Sequence, residues 1–276
     1  MLDKIKNPDD VKKLSIPQLG ILAKAVRKRI IEVTAKNGGH IAPSLGATDL
    51  AIAVLKIFDP LKDRIVWDVG HQSYAYKILT ERNEEFSTLR QFHGLSGFNK
   101  ISESKYDAFG VGHASTSISA AMGIATAKKM KNDKSHAIAI IGDGALTGGM
   151  ALEALNHAGD NEMTNLIVIL NDNDMSISKS VGALQASLTN MLVSRSYNFI
   201  RKTIWKAVQF FPYRIKRRVI LIARRLEENL VNTLAPETLF EGFGFKYVGP
   251  IDGHSIPRMV NILNKAKKNV DGPLLI

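Results

Sequence analysis

Two short segments carry residue types suited to holding a metal ion beside a phosphate. Asp143 stands between Gly142 and Gly144 in GDGALTGG, and thirty positions later Asn173 stands in NDNDMSIS. A hard cation such as Mg2+ prefers oxygen ligands in octahedral array, and commonly takes one or two from side chains while phosphates and water supply the rest. The Asp143 carboxylate, the Asn173 amide oxygen and a backbone carbonyl near Met175 make half such a shell. Backbone N–H groups at Gly144 and Ala145 then offer donors to a diphosphate. A dinucleotide reading fails on spacing, because G-x-G-x-x-G starting at Gly142 requires glycine where Thr147 stands. A carboxylate inside the turn would also repel phosphate unless a cation lay between them. Asp143 alone reads as an ordinary strand-end turn residue; the flanking glycines and Asn173 move the reading toward the metal.

Two imidazoles are the candidates for proton chemistry. His40 follows Gly38-Gly39 in a turn between two helical patterns, and His71 follows Trp67-Asp68-Val69-Gly70 at the end of a short apolar run. An isolated histidine is more often a surface or satisfied group than an acid–base catalyst, so spacing alone gives neither a role. A third segment, Gly112-His113-Ala114-Ser115, opens a helix rich in small residues. Its first N–H groups suit an anion such as a phosphate. Ordinary capping by Ser115 or Thr116 is the equal alternative.

These residues need elements to bring them together. Ala137 to Ile141 and Leu166 to Leu170 are short, β-branched and bounded by turn residues, as parallel strands buried on both faces are. A helical pattern over 147–158 joins them in a βαβ unit. Adjacent parallel strands lie roughly 4.8 Å apart, so Asp143 and Asn173 fall within reach of one ion. Helices are expected over 16–37, 45–58, 72–80, 113–130, 238–242 and 256–267. Further strands are expected over 64–67, just before Gly110, over 246–248 and from Pro273 to the last residue. Residues 81–105 read as a surface loop bordering the site. The alternation implies an α/β fold: a doubly wound, mostly parallel sheet with helices on both faces.

Composition narrows the function classes. The net charge is +11, which suggests nucleic acid or anionic lipid. Yet between Ser180 and Leu226 there is no acidic residue, and ten of the net eleven charges lie there. The basicity belongs to a helical insertion at about 184–235, broken near Pro212, which reads as a solvated arm or lid. No nucleic-acid or membrane partner is expected. With no cysteine, thiolate chemistry and disulfides are excluded. No apolar stretch approaches a membrane span and no signal pattern opens the chain, so the expected location is cytoplasmic.

Gly-Asp-Gly followed about thirty residues later by Asn-Asp-Asn resembles the thiamine diphosphate motif of the transketolase-like enzymes. Within them, GGH at 38–40, WDVGHQ at 67–72, GLSGF at 94–98, SKYDAFGVGHASTSIS, GDGALTGGMALEALNHAGD, NDNDMSIS and GPIDGH are similar to the 1-deoxy-D-xylulose-5-phosphate synthase family. Ala114 departs from the serine usual there. The resemblance implies thiamine diphosphate and Mg2+ as cofactors. It also implies pyruvate and D-glyceraldehyde 3-phosphate as substrates, joined with loss of CO2 for isoprenoid, thiamine and pyridoxal synthesis, in a homodimer. By position, Asp143, Asn173 and the Met175 carbonyl would ligate the metal. Gly112, His113, Ala114, Gly144 and Ala145 would contact the diphosphate region. His71 would lie beside the cofactor and His40 near the reacting carbon.

The resemblance further implies pyrimidine-side and C-terminal domains that this sequence does not contain, among them the source of an activating glutamate. The expectation is a single diphosphate-side domain over 1–276, a fragment or one half of a split enzyme, inactive without the rest or a separate chain carrying it. Two other readings are the amino-terminal subunit of a two-chain transketolase, and an inert domain that dimerises or binds anions.

Overall fold

Among the described residues a sheet of five strands, all paired parallel, brings the ends that carry Asp143 and the WDVGHQ segment to one edge. In the computed structural model, which describes residues 1–161, 165–172, 239–268 and 272–276, the strands are β1 (Arg64–Trp67), β2 (Ala137–Gly142), β3 (Leu166–Asn171), β4 (Lys246–Tyr247) and β5 (Leu274–Leu275). Their order across the sheet is β1-β2-β3-β5-β4. Every pairing is parallel, with Trp67 opposite Ile140 and Gly142 opposite Asn171. The carboxyl ends of β1, β2 and β3 therefore lie side by side.

Alternation along the strands divides the core in two. Ile65, Trp67, Ile138, Ile140, Ile167 and Ile169 point to one face and join the large cluster that includes α1 (Pro8–Lys13), α2 (Ile16–Asn37), α4 (Thr48–Ile57) and α9 (Ile256–Lys268). On the other face α6 (Ser117–Met130) packs across β1, β2 and β3, and α8 (Gly149–Asp160) packs on α6. The expected doubly wound architecture is the observed one.

Helix α2 shows how local chemistry sets these elements. The Ser15 N–H donates to Gln18 Oε1 at 2.8 Å, Pro17 occupies the first turn, and Leu19, Leu22, Val26, Ile30 and Val33 are all buried. Each such side chain contributes about 2 kcal/mol by leaving water. The helix stops at Gly38, whose φ of +73° is one that side-chain-bearing residues resist.

Three local expectations are corrected. The helix expected over 45–58 is two pieces, α3 (Ile41–Gly46) and α4, meeting at Ala47. The one expected over 72–80 is the single turn α5 (Tyr74–Lys77) running into a wider turn, Ile78–Arg82, that contains a Glu81 with φ +69°. No strand forms before Gly110. There Asp107 N–H closes a turn onto the Ser104 carbonyl and Val111 N–H donates to Asn99, so no ladder is available.

The chain divides into two compact units, Met1–Ser176 with Phe243–Ile276, and Ile177–Gly242. All that follows concerns the first. The basic arm expected at 184–235 lies outside the described residues, and among those described no helix is long and apolar enough to cross a membrane.

Candidate active site at the carboxyl edge of the sheet

The end of β2 delivers Gly142 and Asp143, and Asp143 begins a one-turn helix, α7 (Asp143–Leu146). Gly142 sits in register with Asn171 on β3, which places the following residues of both strands at one edge. A Cβ added at Gly144 would meet nothing within 4 Å among the described residues. Asn173 and Met175 lie outside the described residues. Among those described, no three His, Cys, Asp or Glu side chains converge on a metal site. The expected magnesium set has one such side chain, Asp143, so it is not of that kind.

The end of β1 is fastened to the segment that follows Gly112. The Asp68 N–H completes the strand by donating to the Ile140 carbonyl at 2.7 Å. Its buried carboxylate then accepts the N–H groups of Ser115 at 2.8 Å and Ser117 at 2.9 Å. Neither cap expected from the sequence forms at the start of α6; a carboxylate from another strand takes that place. The finding also limits the phosphate reading, because the amides of Ser115 and Ser117 are already engaged. Gly112, His113 and Ala114, all exposed, remain open to a ligand. Ser115, at φ +69°, donates its hydroxyl to the Ala145 carbonyl at 2.7 Å. A Cβ on Gly148 would lie 2.2 Å from that hydroxyl oxygen, which accounts for glycine there. One serine thus ties the 112–117 segment to α7.

The two candidate imidazoles come together although they are far apart in sequence. The rings of His40 and His71 lie edge to face with centroids 5.7 Å apart, and Phe98 lies 5.7 Å from His40 on another side. The Nδ1 atoms of both histidines are buried, with no hydrogen-bond partner among the described residues. Backbone contacts fix the turns that carry the rings: His40 N–H donates to the Tyr74 hydroxyl at 3.2 Å, and the His71 carbonyl accepts from Ser44 Oγ at 3.0 Å. The glycine before His40 is required by the same tyrosine, whose hydroxyl would be 2.7 Å from a Cβ on Gly39. The turn into His71 places Val69 at φ +59° and Gly70 at φ +87°.

Burial lowers both imidazole pKa values below the ordinary histidine range. For His40 the Arg90 guanidinium adds to the effect. For His71 the neighbouring His40 adds to it and the Asp68 carboxylate opposes it. Both rings are therefore neutral at pH 7, each with one nitrogen able to accept a proton and one able to give it.

A third histidine, given no role in the sequence, pairs with a carboxylate. His254, in GPIDGH, lies with Nδ1 3.3 Å from Asp49 Oδ2. Arg27 holds that carboxylate with both terminal nitrogens, at 3.1 and 2.5 Å. Asp68, Tyr74 and Phe98, which hold or touch the candidate residues, are likewise not singled out by the sequence. Their only sequence signal was membership of the WDVGHQ and GLSGF segments or nearness to them.

Residues 2–276 match the family model described as 1-deoxy-D-xylulose-5-phosphate synthase. The synthase of that name from Carboxydothermus hydrogenoformans is 49% identical over 276 residues, covering 100% of this chain and 44% of the relative. A second, from Geobacter sulfurreducens, is 46% identical over 275 residues, again 44% of its length. The chain thus spans less than half the length of these relatives. Among solved structures, the transketolase of Campylobacter jejuni aligns with a TM-score of 0.66 at 23% identity, over 95% of this chain and 38% of that one. That of Leishmania mexicana aligns at 0.64 and 18% identity, over 95% and 36%. At such identities the likeness is one of fold.

Proposed function

The chain belongs to the 1-deoxy-D-xylulose-5-phosphate synthase family, and from that premise we propose that it forms the diphosphate-and-histidine side of a thiamine diphosphate enzyme. The reaction is the joining of pyruvate, with loss of CO2, to D-glyceraldehyde 3-phosphate to give 1-deoxy-D-xylulose 5-phosphate. The observation that carries this reading is the pair of facing imidazoles, each with a buried Nδ1 that has no hydrogen-bond partner among the described residues, beside the carboxyl ends of parallel strands. Ligands of open α/β sheets bind at that edge.

The residues present fit the cofactor. Room beside Gly110, Gly112 and Gly144, where an added Cβ meets nothing within 4 Å among the described residues, suits a diphosphate lying close to backbone. Gly112, His113 and Ala114 would hold it from one side and Gly144 and Ala145 from the other, the two sides being joined by the Ser115 hydroxyl. Asp143, Asn173 and the Met175 carbonyl would hold Mg2+, whose charge offsets that of the diphosphate beside the Asp143 carboxylate. Thiamine diphosphate supplies the electron sink that decarboxylation of a 2-oxo acid requires. His71 would orient the cofactor at the site wall. His40 takes or returns a proton at the substrate oxygen on the reacting carbon, a role for which its lowered pKa keeps it in the basic form at neutral pH.

Calorimetric titration of thiamine diphosphate into the chain tests the reading. Binding should require Mg2+ and weaken at least about tenfold, or 1.4 kcal/mol, in Asp143→Ala. Binding that ignores both the metal and the substitution would overturn it.

A further inference from the structure

The loop expected at 81–105 conceals a buried ionic cluster that no step above employs. Arg82, 3% exposed, donates to both carboxylate oxygens of Asp107, at 2.7 and 3.0 Å, and to Glu103 at 2.9 Å. Glu103 also pairs with Lys77, which is fully buried. Two cations and two carboxylates are a costly way to fill a core, since apolar side chains of equal volume commonly stabilise as well. A bidentate guanidinium–carboxylate pair adds direction, because it fixes the plane of the carboxylate.

That plane is used. The remaining acceptor positions of Asp107 take Asn99 Nδ2 at 2.8 Å and the Lys100 N–H at 3.0 Å. Asn99 follows Phe98, the ring beside His40. Its Oδ1 lies 3.0 Å from where a Cβ on Gly70 would be, and Gly70 precedes His71. The Asn99 carbonyl also accepts the N–H of Val111, whose Cγ2 would be 2.5 Å from that same Cβ. Asn99 is thus wedged between the residue that touches one histidine and the turn that carries the other.

We propose that Asp107, aimed by Arg82, is a positioning residue of the histidine site, fixing through Asn99 both the Phe98 ring against His40 and the Gly70 turn beneath His71. The inference deepens the functional reading above, but its test is independent of catalysis. His40 is faced by His71, Arg90 and Phe98, and His71 by His40 and Asp68. A loosened loop admits water to both rings, so their protonation midpoints report on its position.

The experiment is an NMR titration of histidine-labelled chain as wild type, Asp107→Asn, Asn99→Ala and Asp63→Asn. Asn99→Ala leaves every ion pair of the cluster in place, and so carries the test if Asp107→Asn does not fold. Asp63 is a control, a buried carboxylate at the opposite end of β1 that pairs with His136 and Lys267. In Asn99→Ala and Asp107→Asn the midpoints of His40 and His71 should rise by about half a unit or more toward the ordinary value of ~6.5. In Asp63→Asn they should stay at the wild-type values while thermal stability falls. Midpoints unchanged in Asn99→Ala, or shifted equally in Asp63→Asn, would overturn the proposal and leave the cluster a purely structural device.

Discussion

The carboxylate of Asp68 accepts the backbone N–H of Ser115 at 2.8 Å, across 47 positions of sequence. With the Ser117 N–H at 2.9 Å, it satisfies one donor that the start of α6 would otherwise leave unpaired and one in the turn before it. The negative charge also lies at the favourable end of the helix dipole.

Replacing Asp68 by alanine should therefore cost stability. Two charge-assisted bonds are lost and two buried amides are left without acceptors, a loss of about 3 kcal/mol. Asp68→Asn keeps one acceptor but turns an NH2 toward the other amide, so its cost should be about half as large. Urea unfolding reads both. A wild-type midpoint in Asp68→Ala would show that water replaces the clamp.

The histidine pair makes stability depend on pH in a definite direction. Both folded pKa values lie below the unfolded one, so between them the unfolded chain binds more protons. The stabilising contribution is complete above about pH 6.5, and is lost as pH falls through the folded values. The urea midpoint should climb from pH 5 to 7 and then level off. In His71→Gln the climb should be shallower; an unchanged slope would remove these rings as its source.

Much of the fold was legible because apolar runs and helical spacing are local. Ala137–Gly142 and Leu166–Asn171 form where their β-branched residues require, and α2 forms over the expected 16–37 with Leu19, Leu22, Val26, Ile30 and Val33 buried at helical spacing. The α6 boundary was less legible, because Asp68 sets it from another strand. The ionic cluster was hidden for a related reason: Lys77, Arg82, Glu103 and Asp107 show no periodicity, and charge in an irregular stretch reads as solvated surface. Of the candidate site, the structure unites His40 with His71, and joins the Ser115 segment to the α7 turn. Asn173 and Met175 fall outside the described residues.

Glycine substitutions separate packing from function. At Gly159 a Cβ would lie 1.5 Å from the Phe243 carbonyl oxygen, backbone against backbone, where α8 meets the chain entering β4. Neither partner is a flexible side-chain tip, so Gly159→Ala must push the two segments apart. A loss of about 3 kcal/mol or more is expected, seen as a lower melting temperature. Stability equal to wild type would mean that the close approach is not maintained in solution.

Gly144 gives the opposite case. Among the described residues a Cβ there meets nothing within 4 Å, and the residue lies inside α7. Alanine loses less backbone freedom than glycine in a helix, so Gly144→Ala should raise stability by up to about 1 kcal/mol. The same is expected of Gly149→Ala, at the start of α8, where a Cβ is equally unobstructed. The two variants should part company in ligand binding. A methyl group at Gly144 intrudes where the diphosphate is proposed to approach the backbone, whereas Gly149 has no place in that contact. Thiamine diphosphate with Mg2+ should bind Gly144→Ala at least about tenfold more weakly than wild type, a difference of 1.4 kcal/mol, and bind Gly149→Ala unchanged. Melting curves and calorimetric titrations of the two proteins measure both effects. Equal affinities would place the diphosphate elsewhere than against the α7 turn.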